Sequence, residues 1–355
     1  MNSDKERILE EAKATFESNI KVGELSQLID PNNIPLWEID PDFLNPYKEL
    51  PPLQTWAKMG DRPCFPKEGI ISVSAKQKRG KSYATYAFAL PLLSGLDFGT
   101  IHPNDRPNMI MVFDMEMSET TLTNRVLKQV QTLGEHGNKF VVCNLKAKTI
   151  EERIEAITTK IEKYNPEIVV IDQCAELVNN INDVTECTQI TRMIDKLSIG
   201  RTIFCIMHEN KQKDDDNMQG HIGSHISKKN VEAYTVDRKD GVFTITYKEG
   251  RDTDSDNAAT FKFAVDVEGK IIDGTRIFNE VQEAEKMKWR SNFMLLFGDD
   301  ETLRAKDLVA RIVEHERLEE RAAKNKISKA TEMGVIKKTG NLRTDPYSLV
   351  VPNPI

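Results

Sequence analysis

Residues 69–90 read Gly69-Ile-Ile-Ser-Val-Ser-Ala-Lys-Gln-Lys-Arg-Gly-Lys-Ser-Tyr-Ala-Thr-Tyr-Ala-Phe-Ala-Leu90. An apolar run leads into a basic loop ending in Gly80-Lys81-Ser82, and a helix-like stretch follows. This is the order of a phosphate-binding loop, in which backbone N–H groups surround a phosphate chain and the next helix points its N-terminus at the anion. The pattern G-x-x-x-x-G-K-[ST] is complete except at Ala75, where its first glycine is expected.

The loop predicts a nucleotide site rather than a chance Gly-Lys-Ser, because a buried strand precedes it. The residues expected to surround the phosphates are Ala75, Lys76, Gln77, Lys78, Arg79, Gly80, Lys81, Ser82 and Tyr83. Lys81 is expected to meet the β- and γ-phosphates, and the Ser82 hydroxyl is expected to bind Mg²⁺. Asp172 ends the apolar run that begins at Ile168, where a carboxylate can hold the same metal through water or merely cap the next turn. We expect ATP and Mg²⁺ at this site.

The rest of the central sequence alternates short apolar runs with helical patterns. The predicted strands are 69–74, 109–114, 140–145, 168–172 and 202–207, and the helices are 82–95, 118–134, 149–164 and 185–200. Continuously apolar strands separated by helices indicate a mostly parallel sheet covered on both faces. Segments 231–237, 242–248 and 260–266 predict antiparallel strands added at its edge. The fold class is therefore α/β.

Three regions are expected along the chain. Residues 1–67 combine a short helix (1–18) with a proline-rich arm or linker (30–67), and residues 68–280 form the nucleotide-binding domain. Within that domain, residues 209–229 predict a long polar loop. Residues 288–355 predict three helices (289–297, 302–314 and 317–333) and a two-stranded hairpin, which suggests a winged helix-turn-helix. A helical lid or a subunit-contact domain is the alternative.

The base that activates the attacking water is not next to Asp172, because residue 173 is Gln. Glu116, just past the strand 109–114, is where a carboxylate could reach a water in line with the γ-phosphate. Asp114 and Glu119 compete for this role, and Glu119 suits the first turn of the following helix better.

Three more residues are candidates for catalysis. His208 follows a predicted strand at the edge that carries the phosphate loop, where it could sense the γ-phosphate or simply bond to backbone. Lys248 and Arg251 end an alternating strand, where they could reach into a neighbouring subunit's site as an arginine finger does, or be ordinary hairpin charges.

Together these motifs resemble RecA-like P-loop ATPases, and among them the hexameric helicases of RepA and DnaB type. The segment Asp114-Met-Glu-Met-Ser-Glu-Thr-Thr-Leu-Thr-Asn-Arg125 is similar to the "S-L-E-M-S…L…R" segment of DnaB-type proteins, whose catalytic glutamate falls on Glu116. Met207-His208-Glu-Asn-Lys211 is similar to the "H-H-x-S-K" sensor of RepA-like proteins, and Gly220-His-Ile-Gly-Ser224 to their central-channel loop. The resemblance implies that Lys248 and Arg251 act in a neighbour's site. It covers about residues 69–270 and points to a mobile-element or phage ATPase.

Composition restricts the partners. The net charge of −7 argues against a protein that coats nucleic acid over its whole surface. Residues 286–355 hold 14 Lys or Arg against 10 Asp or Glu, whereas the remainder holds 35 against 46, so we expect any nucleic-acid contact to be local. In the polar loop and after it, the candidates for contact with single-stranded DNA are Lys211, Lys213, Lys228 and Lys229.

The compartment follows from three further observations. The five cysteines are odd in number and lack metal-ligand spacing, which is typical of reduced cytosolic thiols. No run approaches the roughly 18 apolar residues of a membrane helix. The N-terminus shows no secretory signal pattern. We therefore expect a cytoplasmic protein without a membrane contact.

Three functions remain open from the sequence. The first is an oligomeric ATPase motor, expected as a six-membered ring, that acts on single-stranded DNA in replication or mobilisation. The second is a ParA-like ATP-dependent partition or loading switch, since Lys76 occupies the position of that family's signature lysine. The third is a DNA-binding adaptor that does not hydrolyse ATP.

Overall fold

The computed structural model describes residues 35–49, 53–210, 212, 215, 217–251, 259–342 and 344–350. The chain divides into two compact units, residues 1–53 and residues 54–355. In the first unit the described residues form one short helix, α1 (Leu36–Ile39), and the rings of Trp37 and Tyr47 meet edge to face. The helix predicted over residues 1–18 lies outside the described residues.

The second unit contains the other described strands and helices. In chain order they are β1 (Thr55–Met59), β2 (Arg62–Pro66), β3 (Gly69–Ala75), α2 (Lys81–Ser94), β4 (Ile101–Pro103), β5 (Ile110–Asp114), α3 (Glu119–Leu133), β6 (Phe140–Asn144), α4 (Ile150–Tyr164), β7 (Ile168–Asp172), α5 (Val184–Leu197), β8 (Thr202–His208), α6 (Gly220–Lys229), β9 (Asn230–Lys239), β10 (Val242–Gly250), β11 (Thr260–Val265), β12 (Ile271–Asp273), α7 (Thr275–Phe297), α8 (Ala305–Glu316), α9 (Glu320–Glu332), β13 (Ile336–Lys338) and β14 (Tyr347–Leu349).

The main sheet has the strand order β12-β11-β10-β9-β3-β8-β7-β5-β6. The six strands from β9 to β6 run parallel, and β10, β11 and β12 add an antiparallel edge. β8 lies between the phosphate-loop strand β3 and the Asp172 strand β7. The predicted α/β fold, a RecA-like P-loop core with a mostly parallel sheet and antiparallel edge strands, is confirmed.

Alternation along the strands gives the sheet two buried faces. Ile71, Val73 and Ala75 of β3 pack on the side covered by α2, while Ile70 joins the core under α4, α5 and α6. Both faces of the parallel strands are therefore buried from solvent, which explains why these strands are continuously apolar. Helix α4 begins in a capping box between Thr149 and Glu152, whose side chains bond each other's backbone N–H.

Residues 54–67 differ from the predicted extended arm. β1 pairs with β2 and β4 in a small antiparallel sheet, and the Trp56 indole N–H donates to the Thr202 hydroxyl at 2.8 Å. The buried Phe65 ring packs against Phe88 and Phe204. Prolines are tolerated here because edge strands can leave backbone N–H positions unpaired. This segment is therefore part of the core of the second unit.

Residues 220–229 also differ from the prediction, because they form helix α6 rather than part of a polar loop. Ile222 and Ile226, one turn apart, are fully buried against the core under α5. Gly223 lies so close to Met218 that a Cβ there would come within 2.6 Å of its side chain. The glycines that suggested a loop instead allow this helix to pack closely.

The C-terminal part has its own apolar core, built from α7, α8, α9 and the hairpin β13–β14. The three helices and the hairpin are present as predicted, although α7 begins at Thr275 instead of residue 289. Leu303 also exchanges two backbone hydrogen bonds with Tyr347, which places a third extended segment beside the hairpin. The winged-helix assignment and the outer domain boundaries stay predictions. Among the described helices, none is long and apolar enough to cross a membrane.

Candidate nucleotide site

The phosphate loop forms without its first glycine. Ala75 is the last residue of β3 and pairs in register with His208, so a strand conformation suffices there. The left-handed backbone falls on Lys78 (φ 61°) and Gly80 (φ 92°). A Cβ on Gly80 would come within 2.1 Å of the Phe243 ring, so this glycine is required for both its conformation and its close contact.

The strand order brings four predicted residues to one edge of the sheet. The Lys81 ammonium donates to His208 Nδ1 at 2.6 Å, and His208 Nε2 lies 3.4 Å from Glu116 Oε1. Because an ammonium can only donate, Nδ1 accepts, which leaves the imidazole proton on Nε2 facing the Glu116 carboxylate. Burial lowers the pKa of Lys81, and the nearby carboxylates of Glu116 and Asp172 oppose this shift. Lys81, His208 and Glu116 thus form one bonded chain.

The residues proposed for the metal fit a magnesium–nucleotide complex. Asp172 is 2% exposed and its Oδ1 has no hydrogen-bond partner. Burial raises the pKa of Asp172 to about 7, against a hydrogen bond from the Ser82 side chain that lowers it. Among the described residues no three His, Cys, Asp or Glu side chains cluster as metal ligands. One hydroxyl and one carboxylate suit Mg²⁺ that is bound together with nucleotide, because Mg²⁺ is usually held by one or two carboxylates with phosphate oxygens and water.

Glu116 and its two competitors have distinct environments. Asp114 is buried and accepts the backbone N–H groups of Glu116 and Met117, so it shapes the turn after β5. Glu119 is the first residue of α3, after the N-cap Ser118. The Glu116 side chain is 40% exposed, and its hydrogen bond with His208 holds its pKa below the usual range. Only Glu116 of these three lines the cavity beside the phosphate loop.

That cavity has a volume of about 480 Å³. Besides the loop, it is lined by Glu116, Met117, Arg125, His208, Arg238 and Phe243. The Arg125 guanidinium lies over the Tyr83 ring, and that of Arg238 over the Phe243 ring. The sequence did not predict Arg238 or Phe243 as site residues. On an alternating strand an inward phenylalanine looks like any core residue, and Arg238 reaches the cavity only because β9 and β10 pair.

Two basic side chains of the loop point elsewhere. The Lys76 ammonium donates to the backbone carbonyls of Asn210, Gln212 and Asp215. The Arg79 guanidinium donates to the Arg238 carbonyl and pairs with Asp237 at 3.2 Å. Carbonyl and carboxylate oxygens therefore hold both side chains in this structure. The assignment of Lys76 and Arg79 to the phosphate-binding loop stays a prediction.

The remaining predicted cations that the structure describes do not line the cavity. The last residues of β10 pair with the first residues of β9, at the edge opposite the phosphate loop. There the Arg251 guanidinium donates to the Lys228 carbonyl at 2.7 Å, and Lys229 pairs with Asp195. Lys248 lies on the same end of β10. Lys211 and Lys213 lie outside the described residues.

The fold and the site define a P-loop nucleotide-binding domain with RecA-like strand order. Residues 39–214 match the sequence model of a family described as AAA domain. Over these 176 residues, just under half of the chain, the sequence is therefore similar to AAA-type P-loop ATPase domains. Among solved structures, the crystal structure of the KaiC-like protein PH0186 from the hyperthermophilic archaeon Pyrococcus horikoshii OT3 is similar, with 11% sequence identity and a TM-score of 0.45, over 62% of this chain and 99% of that one. No curated protein matches the sequence.

Proposed function

We propose that the protein is an oligomeric ATPase motor that moves on single-stranded DNA, in the manner of the RepA- and DnaB-type helicases. The observation that carries the ATPase part is the meeting of Lys81, Glu116, Asp172 and His208 at one sheet edge, beside a cavity next to the phosphate loop. The DNA part is supported by the sequence resemblance of residues 114–125 and 207–211 to that helicase group.

Glu116 is the proposed general base. A base must be ionised to accept a proton from the attacking water, and the lowered pKa of Glu116 keeps it ionised at neutral pH. Its partial exposure leaves room for that water, whereas the buried Asp114 carboxylate is occupied by two backbone N–H groups. Because His208 bonds both Glu116 and Lys81, movement of Lys81 toward phosphate would free the imidazole to respond to the nucleotide.

Ser82 and Asp172 would hold the magnesium of the bound nucleotide. When bound, this ion supplies charge neutralisation across the β- and γ-phosphate oxygens. The unpartnered Oδ1 of Asp172 gives a ready acceptor for a water of that ion, and a positive charge nearby would bring the raised pKa of Asp172 down.

Lys248 and Arg251 are proposed to act in the site of a neighbouring copy. They lie at the edge of the sheet opposite their own phosphate loop, so their own chain's site is out of reach. Arg251 would exchange its bond to the Lys228 carbonyl for a γ-phosphate oxygen of the neighbour's nucleotide. This requires an oligomer, and a six-membered ring is the proposed form by resemblance.

The C-terminal part is proposed as a winged helix that contacts DNA. A turn of three residues joins α8 to α9, and Leu303 pairs with the hairpin strand β14 as a third short strand would. The outward side of α9 exposes Arg321, Lys324, Asn325 and Ser328, which are side-chain types that contact phosphates and base edges. A lid or a subunit-contact role is the competing proposal for this unit.

The ParA-like alternative loses its main support. Lys76, at the position of its signature lysine, does not line the cavity, and its ammonium is bound by three carbonyls of its own chain. That alternative also assigns no role to Glu116 or His208.

An ATPase assay with and without single-stranded DNA, run with a mass measurement of the assembled particle, tests the proposal. We expect hydrolysis that single-stranded DNA stimulates and a ring-sized particle in the presence of ATP. Double-stranded DNA and single-stranded RNA of the same length are the controls. An ATP-dependent dimer would favour the partition switch, and absence of hydrolysis on every nucleic acid would favour the adaptor.

A further inference from the structure

Lys76 is enclosed by backbone oxygens of a segment more than 130 residues further along the chain. Its Nζ donates to the carbonyl oxygens of Asn210 at 2.7 Å, Gln212 at 2.7 Å and Asp215 at 2.6 Å. An ammonium has three N–H donors, so all three are satisfied by this one segment. Hydrogen bonds from a charged donor are about twice as strong as neutral ones. Lys76 therefore holds these carbonyls together.

The segment between β8 and α6 is called here the post-sensor turn, because it follows His208 directly, and the structure describes its residues 209, 210, 212, 215 and 217–219. Its two ends are joined by the Asn210 N–H, which donates to the Asn217 carbonyl at 2.9 Å, and by the Gln219 N–H, which donates to the His208 carbonyl at 2.9 Å. The Asn210 side-chain amide donates to Asp215 Oδ2. Lys76 thus bonds three described residues of a segment whose two ends are hydrogen-bonded to each other.

The same turn is bonded to the strand that leads into the phosphate loop. The Glu209 N–H donates to the Ala75 carbonyl at 3.0 Å, and the Ser74 hydroxyl donates to the buried Glu209 carboxylate at 3.0 Å. Lys76 adds an ion pair with Glu209 at 3.8 Å. The residue before Glu209 is His208, which holds Lys81. The phosphate loop and the post-sensor turn are therefore joined at both Lys76 and His208.

We propose that Lys76 is a positioning residue that couples the phosphate loop to the post-sensor turn, so that nucleotide bound by the loop changes the conformation of the turn. Lys76 does not line the cavity, so its part is not contact with the phosphates. A shift of the loop backbone around phosphate moves the Lys76 ammonium, and the three carbonyls move with it. Any effect of this coupling on DNA binding rests on the proposed motor function. The contacts between Lys76 and the turn are independent of that proposal.

Hydrogen–deuterium exchange of a peptide covering residues 209–219 tests the coupling directly. In the nucleotide-free protein, Lys76→Met should raise exchange in this peptide by about tenfold, because the carbonyls lose a common charged donor. Addition of a non-hydrolysable ATP analogue should change this peptide's exchange in the wild type and leave it unchanged in Lys76→Met. Lys163→Met, at an exposed position near the end of α4, is the matched control and should behave as the wild type.

Wild-type exchange in Lys76→Met, with or without the analogue, would overturn the proposal. If Lys76→Met does not fold, the same exchange measurement is made on Lys76→Gln, whose side chain keeps two N–H donors but has no charge. An increase of about threefold in exchange supports the proposal, and unchanged exchange overturns it.

Steady-state kinetics separates this proposal from the proposed function. We expect Lys76→Met to keep its KM for ATP within about threefold of wild type and to lose the stimulation of kcat by single-stranded DNA. Full stimulation in this variant would overturn the coupling. If the wild type itself shows no stimulation, the motor function fails, and the exchange experiment still decides whether Lys76 couples loop and turn.

Discussion

The two edges of the parallel strands carry different chemistry. At their carboxyl ends, Lys81, His208 and Glu116 form a bonded chain beside a cavity, and Asp172 keeps an oxygen without a partner. At the opposite edge, Arg251 and Lys229 are each bound to an oxygen of their own chain. The first edge is arranged for a ligand, whereas the second is arranged for stability unless a neighbouring copy replaces those bonds. The difference supports the proposal that the catalytic site lies at the first edge and that the cations of the second edge act, if at all, only between subunits.

The largest effect is expected for the first edge, from Lys81→Met. Without the ammonium the β- and γ-phosphates lose their main positive contact, so ATP hydrolysis should fall by at least about 10³-fold. The His208 ring also loses its donor. Turnover and ATP affinity should be measured together, with Lys163→Met as the control. Turnover within about tenfold of wild type would mean that the first edge is not the site.

The second edge is tested by Arg251→Ala. If the guanidinium enters a neighbour's site, turnover should fall by about 10³-fold while ATP affinity changes little. Mixed oligomers of the Arg251→Ala and Glu116→Gln proteins should regain part of the activity. Where an Arg251→Ala subunit supplies Glu116 and a neighbouring Glu116→Gln subunit supplies Arg251, the shared site has both residues. Lys248→Ala distinguishes the two finger candidates. Wild-type turnover in both single variants would leave the second edge with only a structural role.

A smaller effect, on stability, is expected from Asp172→Asn. The pKa of Asp172 is raised to about 7 in the folded protein by burial, above the 3.8 of an ordinary aspartate. Between about pH 4 and pH 7 the folded state binds more protons than the unfolded state, so this group makes stability fall as pH rises through that window. Asp172→Asn should therefore melt a few degrees higher than the nucleotide-free wild type at pH 8, with the difference shrinking toward pH 5.

The matched control for this measurement is Asp240→Asn, which changes an exposed turn residue. Its melting temperature should stay parallel to that of the wild type over the same pH range. An Asp172→Asn protein that melts below the wild type at pH 8 would contradict the account that burial of the ionised Asp172 carboxylate destabilises the nucleotide-free protein.

The sequence predicts the sheet core well because its signals are local. β7 was expected at residues 168–172 and is found there, and α4 was expected at 149–164 and begins at Ile150. Continuous apolar runs of about five residues and a capping pair leave few alternatives. The first edge follows from the same reasoning, since parallel strands bring their carboxyl ends together.

What the sequence did not predict depends on contacts between distant segments. β2 contains Pro63 and Pro66, and prolines also precede β1, so this segment resembles a linker until Trp56 and Phe65 are seen in the core. The enclosure of Lys76 by the post-sensor turn depends on carbonyl positions, which no residue type specifies. Helix α6 had a readable signal, Ile222 and Ile226 at helical spacing, but its glycines favoured a loop.

The central claim, that the first edge hydrolyses ATP with Glu116 as its base, is tested most directly by the turnover of Glu116→Gln. The glutamine keeps the shape of the side chain and cannot accept the proton, so kcat should fall by about 10²- to 10⁴-fold while ATP affinity stays within about threefold of wild type. Glu119→Gln, three residues further on, is the matched control and should turn over normally. Undiminished ATP turnover in Glu116→Gln would contradict the account.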